Sequence, residues 1–90
     1  MITNDSIRIV IADDHPAVRA GVRSLLAKHP DLQVVGEIED GTHVDSLVEL
    51  WRPDVLVLDM AMPHLDAIAV TRHLKERYPA LNILVLTAHD

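Results

Sequence analysis

Val55-Leu56-Val57-Leu58 is an unbroken apolar run that stops on Asp59. A run this short reads either as a strand buried on both faces or as a piece of buried helix. The flanking Pro53 and Pro63 and the two valines favour a strand. A strand buried on both faces needs helices above and below it, which restricts the chain to layered α/β architectures. A strand that ends on an acid also places that acid at the rim of the sheet, where the chain turns back.

The rest of the chain supplies the layers. Ile7–Ala12 is a β-branched, mostly apolar strand ending on Asp13-Asp14. Pro16 suits the first turn of a helix, where a missing N–H costs nothing. Val18, Val22, Leu25 and Leu26 share one helical face, and Lys28, His29 and Pro30 supply a stop, so a helix is predicted over 16–29. Leu32–Ile38 is a weaker strand, interrupted by Gln33, Gly36 and Glu37 as an edge strand tolerates. Asp40-Gly41 is a turn. Thr42 is the expected cap of a second helix, with Asp45 nearly completing a capping box and Val44, Leu47, Val48 and Trp51 forming its buried stripe. Asp66 is the expected cap of a third helix whose inner face is Ala67, Val70, Leu74 and Tyr78, closed by Pro79. Residues 82–87 form a fourth strand. The alternation is β-α-β-α-β-α-β with short connections, which implies a doubly wound parallel sheet with right-handed crossovers and helices on both faces.

The fourth strand conflicts with its position. Its apolar run reads as buried on both faces, yet the last strand of a simple winding lies at an edge, where a flat apolar surface invites pairing. The expectation is that the natural protein continues past residue 90, or that a second chain covers this edge as a homodimer.

Composition narrows the function. The net charge is −6, and the eight Lys and Arg residues are scattered, so this segment is not expected to grip nucleic acid. Trp51 and Tyr78 are the only aromatic rings, too few for a base-stacking platform. There is no cysteine, hence no disulfide framework and no thiolate metal site. Neither a signal peptide nor a membrane-length apolar run is visible, so a cytoplasmic location is expected. His15, His29, His43, His64, His73 and His89 are dispersed with no helical i, i+4 pair, and they are read as surface or loop residues rather than as a metal cluster.

Ligands of parallel sheets bind at the carboxyl ends of the strands. The first strand delivers Asp13 and Asp14 there, the third Asp59 and the fourth Thr87. Any one strand-end Asp, or Asp13-Asp14 alone, is more often turn chemistry or a helix cap. Three acids at one rim carry a different meaning, because close carboxylates cannot all stay ionised cheaply. Mg²⁺ resolves that conflict, takes oxygen ligands and favours sites shared with phosphate. A carboxylate beside it can attack a phosphoryl donor to form an aspartyl phosphate. The Thr87 hydroxyl, next to the small Ala88, could then bond a phosphoryl oxygen.

Asp13-Asp14-His15-Pro16, Leu58-Asp59-Met60-Ala61-Met62-Pro63 and Leu86-Thr87-Ala88, in this order and spacing, resemble the receiver domain of two-component response regulators. The resemblance covers the chain from about Ile7 onward. It implies a flavodoxin-like fold of strand order 2-1-3-4, a single receiver domain over 1–90, and truncation before the fifth strand and last helices. It implies Asp59 as the phosphoacceptor for a sensor histidine kinase. Asp14, Asp59 and the backbone carbonyl of Ala61 would ligate Mg²⁺, with Asp13 helping through water, and Thr87 would be the switch hydroxyl. The Asp-Asp-His-Pro sequence followed by Arg19 and Gly21, with His29-Pro30 before the second strand, is similar to the subgroup with a LuxR-type helix-turn-helix output. DNA would then be reached only through that absent output domain.

Two departures stand out. Asp66-Ala67 replaces the family's usual Asp-Gly, which is harmless if Ala67 is already helical. The family's fifth-strand lysine has no counterpart, since Lys28 and Lys75 are placed on helices, so phosphoryl transfer is expected to be impaired. A second reading is an interaction module that pairs through the fourth-strand edge and does no chemistry. An aspartyl-phosphate phosphohydrolase ranks lower, because the position two residues after Asp59 is Ala61 rather than a second acid. Nucleotide binding ranks lower still, because no glycine-rich loop follows the first strand.

Overall fold

A computed structural model describes residues 6–86. Strand β1 (Ile7–Ala12) leads to helix α1 (Pro16–Leu26), β2 (Leu32–Ile38), a 3-10 turn (Gly41–His43) and α2 (Val44–Trp51). Strand β3 (Val55–Asp59), helix α3 (Ala67–Arg77) and strand β4 (Asn82–Leu86) follow. The strands form one sheet in the order β2-β1-β3-β4, and all three pairings are parallel. This is the predicted topology.

Strand alternation sends side chains to two separate cores. Val10 and Ala12 of β1 and Leu56 and Leu58 of β3 face α2 and α3, where Val44, Val48 and Leu74 close over them. Ile9, Ile11 and Val57 point the other way, and Val22 and Leu26 of α1 pack against them. Leu56 and Leu58 have no exposed surface, so each contributes on the order of 2 kcal/mol by leaving water. Gly36, read as an interruption of β2, has a packing reason. A Cβ there would stand 2.5 Å from the Trp51 ring, so the missing side chain is what lets α2 lie on the edge strand.

Several expectations need correction. Helix α1 stops at Leu26, not at residue 29. The chain then tightens, with the N–H groups of Lys28 and His29 donating to the carbonyls of Leu25 and Leu26. Lys28 therefore sits in a turn rather than on a helix. Of the four apolar residues on the α1 stripe, Val22 and Leu26 pack, while Val18 and Leu25 are exposed. Thr42 does not cap α2. Its own N–H donates to the Asp40 carboxylate at 2.7 Å, and Asp40 caps the 3-10 turn instead. An Asp side chain reaches the N–H two residues ahead, which favours this tighter turn. Helix α2 begins at Val44 without a side-chain cap.

The third helix is as expected. Asp66 accepts the Ala69 N–H at 3.1 Å, and Ala67 is the first helical residue, a conformation that does not require the family's usual glycine. Strand β4 lies at the sheet edge, but it is not buried on both faces. Leu84 and Val85, on opposite faces, are 59% and 45% exposed, and only β3 pairs with this strand among the described residues.

Candidate functional site

Parallel pairing brings the carboxyl ends of β1 and β3 side by side, with Ala12 opposite Leu58. The next residue on each strand is an acid. Asp13 extends the ladder, its N–H donating to the Ile38 carbonyl at 2.9 Å, and so cannot turn away from the rim. Its carbonyl is held in turn by the Arg19 guanidinium at 2.7 Å, and Arg19 is anchored on Glu37 at 3.1 Å. This chain of contacts fixes the β1–α1 loop from the α1 side.

The carboxylates differ in how much of their bonding capacity is used. Asp13 is 3% exposed, and its Oδ1 accepts the His15 N–H at 2.7 Å and lies 2.9 Å from the His15 ring Nδ1. Asp14 is half-buried and its Oδ1 has no hydrogen bond, although His15 Nδ1 lies within ion-pairing reach at 3.2 Å. Asp59 is 1% exposed. Its Oδ1 accepts the Ala61 N–H at 2.9 Å, while its Oδ2 is buried with no hydrogen-bond partner. One atom from each of Asp13, Asp14, His15 and Asp59 lies within 4.8 Å of all the others.

His15 corrects the reading of the histidines. Its ring is surface-exposed, as expected of a loop residue, but Nδ1 points into the acids rather than away from them. The hydrogen bond to the Asp13 carboxylate, followed by the charge of Asp14, holds its pKa above the ordinary value. The available signal was position. His15 lies between the strand-end acids and Pro16 at the first turn of α1. Thr87 lies outside the described residues. Ala61 adjoins Asp59 through its N–H. Lys75 bonds the carbonyls of Pro79 and Leu81, before β4, and so belongs to the opposite end of the sheet. A cavity of about 320 Å³ at that opposite end, lined in part by Arg52, Asp54, Arg77 and Tyr78, contains none of the predicted site residues.

The donor set fits a divalent cation. Three carboxylates repel one another at this range, and burial raises the cost of leaving Asp59 Oδ2 without a partner. A hard cation satisfies both at once.

Residues 9–90 match the response regulator receiver domain family. The transcriptional regulatory protein DegU of Brevibacillus brevis is 43% identical over 89 residues, which is 99% of this chain and 38% of that protein. The isolated receiver domain of RcsB from Salmonella enterica serovar Typhimurium, solved with the phosphomimetic BeF3⁻, superposes with a TM-score of 0.85 at 35% identity. That match covers 94% of this chain and 64% of the RcsB chain. A LuxR-family two-component response regulator from Aurantimonas sp. SI85-9A1 superposes with a TM-score of 0.83 at 36% identity, over 94% of this chain and 61% of that one. The chain spans about two-fifths of the length of the curated relatives it matches.

Proposed function

The chain belongs to the response regulator receiver domain family, and from that premise we propose that Asp59 accepts a phosphoryl group from the phosphohistidine of a sensor kinase. The observation that carries this reading is the Asp59 carboxylate itself. Oδ1 is held by the Ala61 N–H, which fixes the plane of the group, and Oδ2 is left buried with free lone pairs. In the transfer an Asp59 oxygen attacks phosphorus, a P–O bond forms and the donor's P–N bond breaks. The electron pair leaves on the imidazole nitrogen. Burial keeps bulk water from the new acyl phosphate.

Asp14, Asp59 and the carbonyl of Ala61 would hold Mg²⁺, with Asp13 acting through water. When bound, the cation neutralises charge that builds on the phosphoryl oxygens. Thr87 would donate its hydroxyl to one of those oxygens. The resemblance to DegU and to the LuxR-family regulator supports a role in transcriptional control, with DNA bound by a part of the protein outside this segment. The edge of β4 that no other described strand pairs with is the surface through which two copies would pair. A reading as an interaction module without chemistry is not favoured, since such a module would have no use for an unpartnered buried carboxylate.

Incubation with acetyl phosphate and Mg²⁺, followed by intact-mass analysis, tests the proposal. One phosphoryl adduct is expected on the wild type and none on Asp59→Asn. An adduct that survives this substitution would defeat the assignment.

A further inference from the structure

We propose that the cavity between the carboxyl ends of α2 and α3 is a second binding site, one that takes a small organic anion: an apolar body carrying a carboxylate or phosphate group. The cavity is about 320 Å³, within the range of small-ligand sites, and it lies at the end of the sheet away from Asp59. It stands independently of the phosphoacceptor reading. The buried side chains of Val48 and Leu81 give it an apolar wall, and Arg52, Arg77 and Tyr78 supply the polar one.

Three observations carry the inference. First, two guanidiniums stand over one ring. The Cζ atoms of Arg52 and Arg77 lie 5.5 Å and 5.6 Å from the centre of the Tyr78 ring. The ring attracts each cation, but the cations repel one another, and an anion held by both relieves that repulsion. Second, Arg52 occupies a position that favours glycine. It ends α2 in a left-handed conformation at φ 49°, its N–H donating to the Val48 carbonyl at 2.8 Å. Helix ends of this kind usually carry glycine, because a Cβ is disfavoured there. The chain keeps a long side chain at this point against the backbone preference. Arg52 Nε donates to the Glu49 carbonyl at 3.0 Å, and no carboxylate pairs with the guanidinium among the described residues.

Third, Arg77 has a partner that a ligand can displace. Its Nε donates to the Tyr78 hydroxyl at 3.1 Å, which fixes where the guanidinium sits. Its Nη2 lies 3.5 Å from Glu49, but the two side chains are 51% and 55% exposed, so this ion pair is weak. The opposing charges are smaller. A helix carboxyl end carries about half a negative charge, against a whole positive charge on each arginine. Asp54 is the one acid in the lining, and its Oδ2 already accepts the Arg8 N–H at 2.8 Å.

Amide NMR titration of the chain tests this with four probes: phenyl phosphate, benzoate, inorganic phosphate and neutral benzyl alcohol. Phenyl phosphate or benzoate is expected to saturate with a dissociation constant of about a millimolar and to move the amide resonances of Asp54, Ala80 and Leu81. The tighter of the two identifies the preferred charged group. Inorganic phosphate and benzyl alcohol each carry half of the required chemistry and should bind about tenfold more weakly or worse. Arg52→Gln and Arg77→Gln should each weaken the organic anion about tenfold. Glu49→Gln should tighten it about two- to fivefold, because the competing carboxylate is gone. Arg52→Gly separates binding from folding. Glycine suits φ 49°, so the denaturation midpoint should hold while the anion is lost. Shifts that do not saturate with either organic anion would overturn the inference. So would inorganic phosphate or benzyl alcohol binding as tightly, an affinity unchanged in either glutamine variant of the arginines, no gain in Glu49→Gln, or a lowered midpoint in Arg52→Gly.

Discussion

Asp54 and Asp59 stand at the two ends of β3, and the protein uses them in opposite ways. Asp54 is engaged through one carboxylate oxygen and both of its backbone groups. Its carboxylate accepts the Arg8 N–H at 2.8 Å, its own N–H donates to the Arg8 carbonyl at 2.7 Å, and its carbonyl accepts the Asn82 N–H at 3.0 Å. These bonds tie β1, β3 and β4 together at their amino ends. Asp59, at the carboxyl end, is buried with one oxygen unbonded and two further acids nearby. An exposed acid whose bonds join three strands, and whose free oxygen need not be buried, is structural. A buried acid with a bond withheld is what the proposed phosphoacceptor role asks for.

The largest expected effect separates the two by chemistry. Asp59→Asn should abolish the phosphoryl adduct in the acetyl phosphate assay, whereas Asp54→Ala should leave it. In the metal-free state Asp59→Asn should not lower stability and can raise it, since it removes one of three mutually repelling charges. Chemical denaturation without divalent ions checks the second half. A clear loss of stability in Asp59→Asn would mean that Asp59 holds the fold after all.

Next in size is the response to Mg²⁺. A ligand that binds only the native state stabilises it by about 2.7 kcal/mol at a hundred times its dissociation constant. Thermal unfolding with and without Mg²⁺ should show this gain in the wild type and in Asp54→Ala alike, and little of it in Asp59→Asn. A gain that disappears in Asp54→Ala would break the division between the two ends of the strand. Smaller again is the cost of Asp54→Ala itself. Leaving the Arg8 N–H to water should lower stability by about 0.5–1.5 kcal/mol, read from the denaturation midpoint at unchanged slope.

This division was only half legible in the sequence. The strands could be read because Ile9, Val10, Ile11, Leu56, Val57 and Leu58 are apolar at every position, which is what two-sided burial requires. Asp59 could be placed beside Asp13 and Asp14 because an apolar run delivers it to the rim that they also reach. Asp54 could not be read as structural. It follows a proline in what looks like a helix terminus, and its bond to Arg8 crosses 46 residues of chain that local pattern cannot span. The same limit hid His15, whose ring finds Asp59 only once β1 and β3 pair. Thr42 was misread for a shorter-range reason. Thr42 and Asp40 both have side chains able to cap, and the carboxylate reached the neighbour's N–H first. The stripe on α1 shows what periodicity leaves out. It marks Val18 and Leu25 as apolar correctly, but it does not say how much of the stripe the sheet covers.

Asp40 supplies the subtlest test, because it follows β2 at the same end of the sheet as Asp59 yet is used as Asp54 is. One oxygen accepts the Thr42 N–H at 2.7 Å and the other lies 2.8 Å from His64 Nδ1. His64 reaches it from a left-handed backbone conformation at φ 60°, uncommon for a residue with a side chain. The Thr42 bonds, followed by the His64 contact, hold the Asp40 carboxyl well below its ordinary value of 3.8. A carboxyl whose pKa is lowered on folding stabilises the native state while it is ionised. That contribution is complete above the ordinary carboxylate range and disappears as the pH falls through the folded value. The stability gap between wild type and Asp40→Ala should therefore be flat from neutral pH down to about pH 5 and close progressively below it. Denaturation curves of both proteins at a series of pH values read the gap directly. A gap that stays constant into strong acid would mean that Asp40 acts through its shape rather than its charge. A gap that instead closed on adding Mg²⁺ at neutral pH would make Asp40 part of the reactive end, and position along the strand, not bonding, would be the feature that sets the acids apart.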